Sequence, residues 1–219
     1  MATQTFSKNE AINFGWDTVR NNLGYFIGLG LVIMATGVAP LAIKFVGKIS
    51  PILSYFMDGV FFVLYLVIQV EIIKIALRFC ENNNDRTFDF FSYVRACCNY
   101  FLGSILFGLI TIVGIMLLIV PGVIWGVRFQ FFSYLIVDKK MGAIDALKKS
   151  YAITKGATWE LSLFGALLVV INFLGFLCLG IGLFVTIPMT MIATAYVYRK
   201  LESQTVTCTE NLIQNSHKM

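Results

Sequence analysis

The sequence predicts an all-α, polytopic membrane helix bundle. About six transmembrane helices form three hairpins, each preceded by an amphipathic interfacial helix. Three observations predict it. Of 219 residues, 58% are hydrophobic and only 13% charged, where soluble domains average about 45–50% and about 25%. The mean hydropathy is +0.80, and a globule of this size has too little interior to hide so much apolar surface. The apolar residues also gather in long runs, with nearly all Lys and Arg on one side of them. A disordered tail, a secreted disulfide scaffold and a nucleic-acid module are thereby excluded, despite a formal charge of +5.

The first 22 residues are polar and lack the basic, apolar and small-residue order of a cleavable signal peptide, so the chain is expected to keep its start. Ser7 and Glu10 stand at capping-box spacing, and Ile12, Trp16, Val19 and Leu23 recur at helical intervals. Residues 1–22 therefore read as an amphipathic helix lying in the interface. Apolar runs follow at 24–43, 52–76, 101–120, 122–137, 159–176 and 183–198, most of them near the roughly 20 residues that a span needs. The fourth is about 24 Å long against a hydrocarbon core of about 30 Å, so it spans only as half of a hairpin. Val120-Pro121-Gly122 and the glycine-rich 175–182 read as tight turns.

Six spans divide the loops between two faces. Only Lys44 and Lys48 fall opposite the N-terminus and Arg128 falls within a span, while the rest of the 17 basic residues share the N-terminal side. Both termini are therefore expected to be cytoplasmic. Connections 87–99 and 142–155 are amphipathic, through Phe90, Phe91, Val94 and Cys98 and through Ile144, Leu147 and Tyr151. An interfacial helix thus precedes a hairpin three times, with Tyr25-Phe26, Tyr100-Phe101 and Trp159 marking the approaches to the membrane. Unequal spacing leaves this as a degenerate repeat. The expected organisation is 1–22 interfacial helix, 23–200 six-span domain and 201–219 polar cytoplasmic tail.

The residue most in need of a cause is Arg128, since an arginine at a helix centre costs about 2.5–3.5 kcal/mol on insertion scales. Asp58 lies at matching depth on the second span and can neutralise it. Glu71 is the other possible partner, although Lys74 three residues on can neutralise Glu71 along its own helix. Gln130, with Gln69, Ser133 and Tyr134, can complete a polar cluster. Such a cluster holds an anionic substrate or relays protons, or it is a packing clamp that fixes helix register; Arg128 can also snorkel toward an interface. Lys139, Lys140, Lys148, Lys149 and Lys155 lie beside the membrane, where each charge gains about 1 kcal/mol from anionic headgroups. Gly24/Gly28, Ser104/Gly108 and Gly122/Gly126 have the spacing that lets helices approach closely.

No reaction chemistry emerges. The five cysteines show no metal-ligand spacing and no disulfide pattern. His217 is the one histidine and lies in the polar tail, which leaves none for a triad, a zinc site or a proton shuttle. No nucleophile elbow, P-loop or dinucleotide fingerprint is present. Neither a catalytic role nor a cofactor is expected.

The stretch Leu118-Ile119-Val120-Pro121-Gly122-Val123-Ile124-Trp125-Gly126-Val127-Arg128-Phe129 continues through Tyr134-Leu135-Ile136-Val137-Asp138 to Ala146-Leu147-Lys148-Lys149-Ser150 and Thr154-Lys155-Gly156. With Ala76-Leu77-Arg78 and Thr87-Phe88-Asp89-Phe90-Phe91, it resembles uncharacterised bacterial multipass membrane proteins related to the membrane domain of some glycerophosphodiester phosphodiesterases. The resemblance implies a six-span protein of the bacterial inner membrane, with the family's arginine at Arg128 and its turn at Pro121 and Gly122. It implies no reaction, because the phosphodiesterase barrel is a separate soluble part. The expected function is that of a noncatalytic multi-pass component, an accessory, scaffold or envelope-homeostasis protein. Its expected partners are the lipid bilayer and its anionic phospholipid headgroups, with a protein partner or homo-oligomer open. The alternative is a transporter or channel for a small anionic or lipid-like substrate, built on Arg128 and a carboxylate. A membrane-embedded lipid enzyme ranks last, for want of a nucleophile and base.

Overall fold

A computed structural model describes residues 6–47, 51–81, 90–117, 119–177 and 182–216, all-helical with no strand among them. Lys48, Cys178 and His217 lie outside the described residues, as do the side chains of Pro40, Lys44, Pro121 and Cys208. The helices are α1 Lys8–Asn21, α2 Leu23–Gly47, α3 Pro51–Glu81, α4 Phe90–Leu117, α5 Ile119–Phe129, α6 Phe132–Lys139, α7 Ala143–Ile153, α8 Thr158–Leu177 and α9 Leu183–Ser216. α2 packs on α3, α4 on α5 and α8 on α9. Three helical stretches are long and apolar enough to cross a membrane, Tyr55–Glu81, Tyr93–Leu117 and Thr158–Leu177, and only 28%, 11% and 17% of their most apolar windows is buried inside the protein. Their apolar surface therefore faces outward.

The core sits at one end. There Tyr198, Phe131, Leu135, Ile136, Ile153, Leu161 and Leu201 are sealed where α6 and α7 meet α8 and α9. A smaller cluster of Val19, Phe26, Met189 and Ile192 joins α1 and α2 to α9.

α1 begins where its cap predicts: the Ser7 Oγ accepts from the Glu10 N–H at 3.3 Å. Its packed face differs from the large-residue stripe. Ala11, Gly15 and Val19 are buried, whereas Trp16 is 46% and Leu23 42% exposed. The reason is proximity, since a Cβ on Gly15 would stand 2.7 Å from the Met189 carbonyl of α9. Small residues at four-residue intervals let the two backbones meet.

The expected small-residue pairs are corrected in the same way. A Cβ at Gly24, Gly28, Gly108 or Gly126 meets nothing within 4 Å, and close approach falls instead at Gly114 against Gly122 and at Gly175 against Gly182. These pairs draw α4 against α5 and the end of α8 against the start of α9, a role that spacing within one helix does not reveal.

Three boundaries also move. α4 runs from Phe90 to Leu117 in one piece, so the second amphipathic segment is the opening of a long helix; no proline interrupts it, and Gly103 is carried within the helix. α9 continues past Tyr198 to Ser216, and Leu201 and Glu202 are buried across the 200/201 boundary. The fourth run is broken, with Phe131 between α5 and α6 at φ −88° and ψ 3°. An unbroken helix would commit the Arg128 carbonyl to the N–H of residue 132. Here it accepts instead from Ser150 Oγ at 2.9 Å and Thr154 Oγ1 at 3.1 Å of α7, and the Phe131 N–H donates to Ser150 Oγ at 3.2 Å.

Candidate functional site

Two polar sites occupy the end where the core lies. The first is an ion-pair network across α3, α6 and α9. Arg199 donates to both oxygens of Asp138, at 2.7 and 3.0 Å, and lies 2.6 Å from Glu81 and 3.3 Å from Glu202. Lys139 pairs with Glu202 at 2.9 Å and lies 3.5 Å from Asp138. The Tyr198 hydroxyl donates to Asp138 at 2.8 Å. The two-point guanidinium–carboxylate contact is the strongest geometry such a pair has. The hydrogen bond to Glu202 holds the Lys139 ammonium above its usual pKa, with Asp138 adding to it and burial opposing. An open cleft of about 670 Å³ lies against this network, with Cys80, Lys139, Tyr196, Arg199 and Glu202 among its walls.

A second contact fastens α1 to the same helix. Lys200 and the Tyr196 hydroxyl both donate to the Glu10 carboxylate, Lys200 at 2.7 Å. The bond from Lys200, followed by that from Tyr196, holds the Glu10 carboxyl below the usual range.

The second site is built around Arg128, one residue from the end of α5. Its Nη1 donates to the Tyr151 hydroxyl at 2.8 Å and its Nε to Thr158 Oγ1 at 3.3 Å, with the guanidinium 4.8 Å from the Tyr151 ring centre. α7 ends at Ile153, and Gly156, at φ +100°, turns the chain so that α8 starts at Thr158. This turn sets both acceptors around the guanidinium.

The partners that the structure gives Arg128 are Tyr151 and Thr158, and no ion pair joins it to a carboxylate among the described residues. Glu71 is taken by Lys74 at 3.1 Å, and Lys74 also lies over the Tyr93 ring at 3.9 Å. Asp58 is exposed, and α5 packs on α4, α7 and α8 while α3 packs on α2, α4, α6 and α9. The two helices share neighbours without meeting as a packed pair. Gln130 sits half-buried in the break after α5.

The five lysines separate by role. Lys139 is spent on Glu202, while Lys140, Lys148 and Lys155 are exposed and Lys149 is half-buried. Lys140 ends α6 in the left-handed conformation at φ 52°. The Arg199 network escaped the sequence reading. Arg199 and Glu202 at i,i+3 were a visible signal, but Asp138 and Glu81 come from other elements and no local pattern joins them. Among the described residues no group of His, Cys, Asp and Glu could hold a metal ion.

The family described as Domain of unknown function (DUF7847) matches residues 87–213, a stretch that includes Arg128, Asp138, Arg199 and Glu202 and leaves out α1 to α3. No curated protein and no solved structure matches the chain.

Proposed function

The chain belongs to this family of unknown function, and from that premise we propose that it is a noncatalytic multi-pass protein of the bacterial cytoplasmic membrane. It acts there as an accessory, scaffold or envelope-homeostasis component, related to the membrane domain of glycerophosphodiester phosphodiesterases. The bundle crosses the bilayer six times, with α5 and α6 together as the fourth crossing and both termini cytoplasmic. Its partners are the bilayer and, at the exposed basic residues, anionic headgroups.

One observation carries the reading: charge and apolar surface are segregated. The acids and bases around Arg199 satisfy one another at one end, while Tyr55, Val63, Met116, Val169 and Phe176, between 59% and 85% exposed, face outward from α3, α4 and α8. An ion-pair network that ties α3, α6 and α9 together supports a clamp in a scaffold. Reporter fusions at Lys48 and Lys140 must report opposite sides of the membrane, and agreement between them ends the six-crossing arrangement. Arg128→Ala is expected to lower accumulation in the membrane and thermal stability; unchanged stability with lost flux of an anion would favour transport instead.

A further inference from the structure

Arg128 carries a full charge with only neutral partners. A guanidinium has five N–H donors, of which Nε and one on Nη1 are used by Thr158 and Tyr151. The others have no protein acceptor among the described residues, and none of these nitrogens is a sealed, unpaired atom. Glu71, an expected partner, is taken by Lys74, and Glu160, two residues beyond Thr158, accepts from the Phe6 N–H at 3.5 Å. The half-buried side chain therefore presents a positive fork to its surroundings.

The surroundings of that fork are apolar on one side. Ile124, one turn back on α5, is 36% exposed, and on the adjoining α8 Trp159, Leu163 and Leu167 are exposed at four-residue intervals. The half-exposed Tyr151 ring lies against the guanidinium, and the exposed Lys155 belongs to the turn between α7 and α8 that brings Tyr151 and Thr158 to it. An anion carrying two oxygens suits the guanidinium fork, and a chain attached to that anion would find the ridge of Leu163 and Leu167.

We propose that Arg128, with Tyr151 and Lys155, binds the phosphate of an anionic phospholipid whose acyl chains lie along α5 and α8. The inference rests on the membrane reading and deepens it. It moves headgroup recognition from the lysine-rich segment to Arg128, and leaves Lys140, Lys148 and Lys149 as unspecific electrostatic attraction.

The test uses the full chain with Trp16→Phe and Trp125→Phe, so that Trp159 alone fluoresces. It is reconstituted in bilayers containing phosphatidylglycerol or phosphatidylcholine with brominated acyl chains. Trp159 is expected to be quenched at a several-fold lower fraction of the anionic lipid, Arg128→Gln to abolish that preference, and Lys148→Gln with Lys149→Gln to leave it in place. Inorganic phosphate is expected not to reverse the quenching.

Equal quenching by both lipids while Arg128 is present overturns the site, and this comparison does not depend on how Arg128→Gln folds. Reversal by inorganic phosphate overturns the phospholipid as ligand. Loss of preference in the lysine variant alone returns recognition to the lysines and overturns the proposal. Absence of quenching by either lipid, with a chain that stays monodisperse without detergent, overturns the membrane reading itself.

Discussion

Arg199 is the side chain on which most charge converges. Removing one partner of a buried pair costs about 3–5 kcal/mol because the other charge is left behind. Here Glu81 is 43% exposed and Arg199 itself 19%, so solvent takes up part of that penalty. Arg199→Ala is expected to destabilise by about 2 kcal/mol, read as a lowered Tm in detergent; an unchanged Tm refutes the clamp. Glu10 yields a pH dependence. Its carboxyl titrates below the usual range when folded, so its contribution is present above the ordinary carboxylate range and is lost as the pH falls through the folded value. Limited proteolysis should find α1 released on that acid limb, and Glu10→Gln should remove the dependence. Arg128 and Asp58 meet on no shared interface, so the effects of Arg128→Ala and Asp58→Ala are expected to add; recovery of stability in the double variant would restore the pair. Depth along a span placed Asp58 opposite Arg128 in the sequence reading. Depth says nothing of which helices are neighbours.

The packing of α1 on α9 and the break between α5 and α6 are contacts made by small groups. Gly15→Ala gains up to about 1 kcal/mol of helix propensity, but the added methyl meets a backbone carbonyl that cannot swing aside. Overpacking at about 1–3 kcal/mol therefore wins, and α1 should become susceptible to protease while the rest of the bundle stays intact. Ser150 serves the break twice, donating to the Arg128 carbonyl and accepting from the Phe131 N–H. Ser150→Ala leaves a buried N–H unpaired, at about 1–3 kcal/mol; thermal unfolding measures it, and a neutral result would mean that water replaces the hydroxyl. Neither feature is a hydrophobic pattern. The Ala11, Gly15 and Val19 face of α1 was overshadowed by Ile12, Trp16 and Leu23, and a run from 122 to 137 without proline has nothing in it to announce a break made by side chains of α7.

For the entire chain the governing fact is unburied apolar surface. The three long apolar stretches hide little of themselves against other helices, and contiguous exposed apolar area of that extent calls for an apolar solvent. The protein should stay with the membrane fraction through an alkaline carbonate wash, and recovery as a monodisperse species in plain buffer would refute it. α9 organises much of the fold, since α1, α2, α3, α7 and α8 all pack against it, while α6, which brings Asp138 and Lys139 to Arg199, is held by α3, α4 and α7.

Composition and periodicity determined, from the sequence alone, that the protein is all-helical and that it carries long apolar helices. Those properties are written in neighbouring residues, so a local reading recovers them. Which carboxylate meets which guanidinium was decided only by the tertiary arrangement. Arg199 reaches an Asp138 that is 61 residues away in sequence, and Arg128 takes Tyr151 and Thr158 from α7 and α8. Ion pairing depends on adjacency between elements, and adjacency is set by how the helices pack, not by their order along the chain.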